Sequence, residues 1–288
     1  MLIAVNAGNS RVLLGGYEED ERIFAASIAT EPRQMPEDYA CRLQQVLGLY
    51  GVDTGRIHGA VIGSVVPDLA AVLEEALRLL GVNEVVEVSS GVKTGLNIRS
   101  EQPRQVGSDR VAGAVAARAK GRLPCVVVGL GTATTFTALD QTGALVGSAI
   151  TAGVQLSVEA LRMQAAQLPM VALEARDEGV LARNTVDAMR VGALYGTAAM
   201  VDGMIARFAD ALGQQPYVVV TGAFAPLVTR LLRVPHEHDE NLVLDGLRLI
   251  WEMCIRDSPC TGRTGAWQTA VHNHAYSAVR RPRPDRRF

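Results

Sequence analysis

Two short stretches, one in each half of the chain, have the residues of anion-holding turns: "AVNAGNSRVLLGG" at residues 4–16 and "GLGTATTFT" at 129–137. In the first, Gly8, Asn9 and Ser10 form a tight turn between two apolar runs. Glycine lets backbone N–H groups approach a ligand closely, and small polar side chains add donors for phosphate oxygens. In the second, Thr132, Thr134 and Thr135 place hydroxyls beside the turn at Gly131. Each has an ordinary explanation alone, since Gly-Asn turns are common in hairpins and alternating threonine is usual in strands. Facing one another, the two turns would clamp a triphosphate. Between them, "VGSDR" opens an amphipathic helix, with Asp109 at or just before its positive end. Asp109 reads either as a helix cap or as an acceptor for a substrate hydroxyl proton, with Arg110 beside it to bind an anionic group.

The elements that would position these residues follow from hydrophobic period. Apolar runs at Leu2–Val5, Val12–Gly16 and Ile23–Ile28, separated by turns, predict a three-stranded meander. A helix is predicted over Pro36–Tyr50, a buried strand at "GAVIGSVVP", a helix over Asp68–Leu80 and a strand at "NEVVEVS". The order then recurs: "LPCVVVGLGTATTFTALDQTGALVGSAIT" predicts three more strands, followed by helices near Ser157–Ala166 and Thr185–Leu212, the strand "YVVVTG" and another helix. Two halves that each open on a meander predict a duplicated α/β architecture, with ligand in the cleft between them.

Composition bounds the rest. The 288 residues are 48% hydrophobic and 20% charged, a globular profile. Neither a membrane-crossing run nor a secretion signal is recognisable, and the four scattered cysteines form no disulfide framework, so a cytoplasmic protein is expected. Net charge is −2; residues 254–288 carry seven Arg against two Asp, which leaves an acidic body and no electrostatic case for nucleic acid. That last stretch lacks any period and is expected to be a disordered or non-native tail. Its Arg cluster reads as a solvated tail, and Cys254, Cys260, His272 and His274 lack the spacing of a zinc site.

With the motifs assembled, residues 1 to about 253 resemble the type III pantothenate kinases. The resemblance is carried in order by "GNS", "VIGSVVP", "GVKTGLNIR", "VGSDR", "GTATTF", "AGVQLSVEAL", "ARNTVDAM", "TGAFAP" and "LVLDGLRLIWE". It implies an α/β fold of two ribonuclease-H-like (actin-like ATPase) domains, residues 1–115 and 116–253, with a ligand cleft between them. It also implies a homodimer, with ATP and pantothenate as small-molecule substrates and no nucleic-acid or membrane partner. The implied reaction is transfer of the γ-phosphoryl group of ATP to the terminal hydroxyl of pantothenate, opening coenzyme A synthesis. By position, Asp109 would accept the proton. Gly107, Ser108, Arg110, Thr185 and Ser100 would form the pantothenate site, and Asn6, Gly8, Asn9, Ser10, Arg11, Leu13 and Thr132 would bind ATP with Mg²⁺.

Four positions depart from the family's pattern. Asn6 stands where the first loop normally begins with Asp, and Gly129 stands where an Asp ligand for K⁺ or NH₄⁺ is usual. Ser100 replaces a substrate-side Tyr, and Ala223 replaces the second glycine of "TGG". Phosphoryl transfer depends on positioning and charge neutralisation, so losing one preorganised charge at Asn6 is expected to cost about 10²- to 10³-fold. Gly129 is expected to weaken or abolish cation dependence. The resemblance therefore leaves two readings: an active kinase, or a catalytically impaired nucleotide-binding paralogue that acts as a regulator or partner. A pocket altered at Ser100 would also admit another hydroxyl compound. Glu159 and Asp140 are carboxylates in neighbouring motifs that would substitute for the missing charge.

Overall fold

Leu2 to Ala7 is apolar at every position but Asn6, and such a run is stable as a strand only when both its faces are covered. In the computed structural model, which describes residues 1–89, 92–175 and 179–256, it is β1 (Leu2–Ala7), buried along its whole length. Strands β2 (Arg11–Glu18) and β3 (Glu21–Ala29) continue antiparallel from it. After α1 (Pro36–Leu49), β4 (Gly59–Ser64) returns parallel to β1; α2 (Leu69–Leu79) then leads to a parallel edge strand, β5 (Val85–Glu87). The sheet order is β3-β2-β1-β4-β5, and α3 (Ser108–Ala119) closes this half.

The second half repeats the plan. Its elements are β6 (Cys125–Leu130), β7 (Ala133–Leu139), β8 (Leu145–Ala152), α4 (Val154–Gln164), α5 (Thr185–Leu212), β9 (Tyr217–Thr221), the short α6 (Ala225–Val228), β10 (Glu237–His238) and α7 (Leu242–Arg256). Read from the β8 edge, its order is β8-β7-β6-β9-β10, which matches the first sheet strand for strand. The duplication read from the two meanders is thus the architecture of the molecule. Helix α5 has the predicted bounds because both ends are signalled: the Asn184 side chain accepts from the Asp187 N–H, and Gly213 terminates it at φ 73°. Helix α4 starts three residues before its predicted position, directly after Gly153.

Between the sheets lie the last helices of the two halves. Helix α7 belongs by chain order to the second half, yet it packs on α3 and on β1 and β4 of the first sheet. Its Leu244, Leu247, Ile250 and Trp251 share a core with Leu2, Ala4, Val61, Val111 and Val115. The opposite face of α3 sends Ala114 and Ala117 against Cys125, Val127 and Leu139 of the second sheet. Small residues in "VAGAVAARA" let this helix be enclosed on several sides. The two helices cross so closely that a Cβ on Gly246 would lie 1.9 Å from the Ala112 carbonyl oxygen. A polar anchor holds α7 as well, since Tyr17 donates to Asp245 at 2.7 Å and Arg22 pairs with the same carboxylate at 2.9 Å.

Among the described residues no helix is long and apolar enough to cross a membrane. Cys254 lies in α7, while Cys260, His272, His274 and the terminal Arg cluster, expected above to form a tail, lie outside the described residues.

Candidate active site

The carboxyl ends of β1 and β4 in one half, and of β6 and β9 in the other, open toward the space between the sheets, where ligands of α/β folds collect. Each central strand ends in one of the glycine turns. In the first, the Gly8 N–H donates to the Arg11 carbonyl at 2.9 Å, and Thr30 braces the outside, donating from Oγ1 to the Gly8 carbonyl at 2.7 Å and from N to the Ser10 carbonyl at 3.2 Å. In the second, the Gly131 N–H donates to the Ala133 carbonyl at 3.1 Å, while Gly153 N and Phe224 N donate to the Thr132 and Leu130 carbonyls at 3.0 Å each. Gly153 and Gly222 are required there. A Cβ on Gly153 would lie 2.3 Å from the Gly131 carbonyl oxygen; one on Gly222, whose φ is +107°, would lie 2.5 Å from that of Leu130. Ala223, the departure next to it, is exposed and meets no such limit.

The tertiary structure brings the two turns together. Ser10 Oγ and Thr132 Oγ1, both on exposed residues, lie 2.9 Å apart although 122 residues separate them in sequence. Asn9 and Arg11 are exposed beside Ser10, and Leu13 pairs with Asn6 across β1 and β2.

Asn6 and Gly129 occupy equivalent places, each the next-to-last residue of its central strand. Asn6 alternates with Leu2 and Ala4, so it faces the interlobe core, and its β4 neighbour is Gly63. A Cβ on Gly63 would lie 3.4 Å from Ser108 Oγ, which places the start of α3 over this pair. Ser108 fixes that start by donating from its hydroxyl to the Ser64 carbonyl at 3.0 Å.

The cap position of α3 is Gly107, and Asp109 is the second helical residue, within the first turn. Its Oδ1 accepts from the Arg110 N–H at 2.8 Å. A Cβ on residue 107 would lie 2.7 Å from that oxygen, which explains the glycine. Burial pushes the Asp109 carboxyl above the usual carboxylate range, and the Arg110 N–H and charge offset this only in part. A desolvated carboxylate with a raised pKa is a stronger proton acceptor at neutral pH. Arg110 has its Nε buried without a partner, as an anion-binding guanidinium would before its ligand arrives.

Ser100 is exposed, its Oγ accepting from the Gln102 N–H at 3.3 Å. Thr185 stands apart from the turns at the start of α5, lining a concavity of about 370 Å³ with Ser157, Val158, Leu161 and Met189. The sequence reading missed Thr30, Ser64 and Gly153. Gly153 had a signal, a glycine between strand and helix; the two hydroxyls had none, because their partners are backbone atoms of remote segments.

Asn6 Oδ1 is buried with no partner, an acceptor suited to the water shell of a metal held by phosphates. Where the resemblance implies a carboxylate ligand for a monovalent cation, the chain supplies none: Gly129 offers no side chain, and Thr135 Oγ1 lies 2.6 Å from where its Cβ would be. Neither candidate replacement serves. Asp140 is spent at the opposite end of β7 on its own turn and on Arg99, and Glu159 is exposed on α4, accepting from Gln155. Among the described residues, no group of three or more His, Cys, Asp or Glu is placed to hold a metal.

Comparison with known proteins agrees with this geometry. A family model described as type III pantothenate kinase matches residues 2–207. The type III pantothenate kinase of Brevibacillus brevis is 38% identical over 252 residues, covering 88% of this chain and 98% of that protein. The type III pantothenate kinase of Anaeromyxobacter sp. strain Fw109-5 is 40% identical over 253 residues, with 88% and 99% covered. The fold is also that of the Clostridium difficile activator of 2-hydroxyisocaproyl-CoA dehydratase, solved with bound ADPNP, at TM-score 0.51 and 10% identity over 92% of this chain and 99% of that one. Matched by the family model over most of its length, and spanning its relatives almost end to end, the chain belongs to the type III pantothenate kinase family.

Proposed function

We propose that this chain transfers the γ-phosphoryl group of ATP to the terminal hydroxyl of pantothenate. The observation that carries the reading is the meeting of Ser10 and Thr132 hydroxyls, at 2.9 Å, on turns from opposite halves. A phosphate chain entering there gains donors from both sides. Asp109 takes the hydroxyl proton as the alcohol oxygen attacks the γ-phosphorus in line; the bond to the β-phosphate oxygen breaks and ADP leaves. Arg110, with Gly107, Ser108 and Ser100, receives the pantothenate carboxylate and polar chain.

Kinases of this kind use a divalent metal with the nucleotide, and we assign Mg²⁺, which would neutralise charge on the phosphates. Asn6 Oδ1 would orient its waters. No step is assigned to a monovalent cation, so turnover is expected to be indifferent to K⁺ and NH₄⁺. We place the reaction in the cytoplasm, in keeping with free cysteines at Cys41 and Cys125 among the described residues.

We also read the outer face of α5 as a homodimer surface. Ala188, Gly192, Gly196 and Ala199 form an exposed ridge of small residues, and open space lies above both glycines. Leu161 and Met163 on α4 and Val186 on α5 extend it with exposed apolar surface, which supports close approach of a second helix. Thr185 lies at the start of this face, so a second copy would cover it.

The test is ATP-dependent phosphorylation of pantothenate by the full chain with Mg²⁺, with and without K⁺, beside Asp109→Asn. Turnover that disappears in the variant supports the kinase. ATP binding without turnover favours the impaired paralogue, the reading motivated by the neutral Asn6 in place of a carboxylate. Binding of neither ATP nor pantothenate overturns both.

A further inference from the structure

Among the described residues between β5 and α3 no named strand forms, yet the segment 92–102 is fastened along its length. Cys254 Sγ of α7 donates to the Lys93 carbonyl at 3.9 Å, and Arg118 of α3 donates to that of Gly95. Leu145 N donates to the Asn97 carbonyl and Arg99 N donates to the Leu145 carbonyl, both at 2.8 Å. Ile98 thereby pairs with Leu145 as a one-residue parallel extension of the second sheet. Leu96 and Ile98, both half-buried, pack against the two interlobe cores. The segment then delivers Ser100, the turn Pro103–Gln105 and the first residues of α3.

A charged tie joins this segment to the β7–β8 turn. Asp140 divides its two oxygens between separate tasks. Oδ1 accepts from Thr142 N at 2.8 Å, Thr142 Oγ1 at 2.6 Å and Ala144 N at 3.0 Å, which shapes the hairpin turn. Oδ2 accepts from Arg99 Nη1 at 3.0 Å. The Thr142 hydroxyl, then the backbone donors and the Arg99 charge, hold the Asp140 carboxyl below the usual range, so it is ionised throughout neutral pH. A type of turn that a single side-chain oxygen organises leaves the other oxygen for a distant partner, and that partner is one residue before Ser100.

We propose that Asp140, acting through Arg99, is a positioning residue that sets the placement of the substrate-side segment 92–102 and with it the affinity for the alcohol substrate. The kinetic part rests on the proposed pantothenate reaction; the placement part does not. Both side chains reach solvent, Arg99 at 54% and Asp140 at 21% exposure, so salt weakens the tie and its loss spares the fold.

The test uses the full chain and Asp140→Asn, whose amide oxygen retains the turn while its NH₂ faces the guanidinium. Expected are a two- to five-fold rise, roughly, in KM for pantothenate with KM for ATP and Tm unchanged. Arg99→Ala is expected to match it, Arg99→Lys to restore part of the loss, and the double variant to be no worse than either single one. Added salt should raise KM for pantothenate in the parent more than in Asp140→Asn. Hydrogen exchange supplies a readout independent of turnover: the Arg99 amide should exchange faster in Asp140→Asn while the Thr142 and Ala144 amides keep their protection. Unchanged exchange at Arg99 overturns the proposal, as does a Tm drop with the turn amides exposed, which would make Asp140 a folding residue. A parent that does not phosphorylate pantothenate defeats the proposed reaction, and the exchange experiment then decides the positioning role by itself.

Discussion

Asp109 combines two properties that ordinary surface carboxylates lack: burial that raises its pKa and a fixed oxygen held by the Arg110 N–H. As the proposed base, Asp109 must be ionised to accept a proton, so kcat/KM should fall on the acid side with a midpoint above the ordinary carboxylate value. The stability effect has the opposite sense. A folded-state pKa above the unfolded one contributes stability at low pH that is lost as pH rises through the folded value. Asp109→Asn should therefore cost about 10²- to 10⁴-fold in kcat with no loss of Tm at neutral pH, measured by steady-state kinetics and thermal melts. Asn6 supplies the converse case. Its buried Oδ1 already has the position of an oriented acceptor, so Asn6→Asp should raise kcat by about 10²-fold through restored charge. Were the rate unchanged in Asn6→Asp, the neutral residue would not be what limits this enzyme.

At the scale of elements, the site depends on how closely α3 and α7 approach, because α3 carries Asp109 into the cleft. Gly246→Ala would drive a methyl group into the Ala112 backbone, and such overpacking typically costs about 1–3 kcal/mol. It should lower Tm and also lower kcat, by pushing α3 away from α7; a Tm equal to the parent's would mean that the helices separate freely. Tyr17→Phe isolates a different contribution. It removes the donor to Asp245 while Arg22 remains, so a loss of about 1 kcal/mol in chemical denaturation is expected, with kinetics near those of the parent. The polar anchor holds α7 to the first sheet far from the turns, whereas Gly246 sits at the crossing that positions α3, the helix of the proposed base.

At the scale of the whole molecule, the two lobes meet through Ser10 and Thr132, and 2.9 Å leaves no space for a phosphate oxygen between those hydroxyls. On the proposed reading, nucleotide entry parts the turns and both then hold the phosphates. Ser10→Ala and Thr132→Ala should each raise KM for ATP by about tenfold, the usual worth of a hydrogen bond to a charged group, while KM for pantothenate stays the same. Equal changes in both KM values would show instead that the pair only holds the lobes together.

Much of this was legible in residue order. The doubled meander, the two glycine turns, helix α5, and the opening of α3 at "GSDR" are local, set by hydrophobic period and glycine acting over a few positions. Other features had to wait for tertiary structure. That Ser10 touches Thr132, that Asp140 is bound to Arg99, and that α7 returns to the first sheet all depend on contacts between segments far apart in the chain. A glycine at 129 is a missing carboxylate in the sequence; only packing reveals that the Thr135 hydroxyl has taken the adjacent space. Local spacing determined which residues could do chemistry, and the long-range burial of apolar surface decided which of them meet.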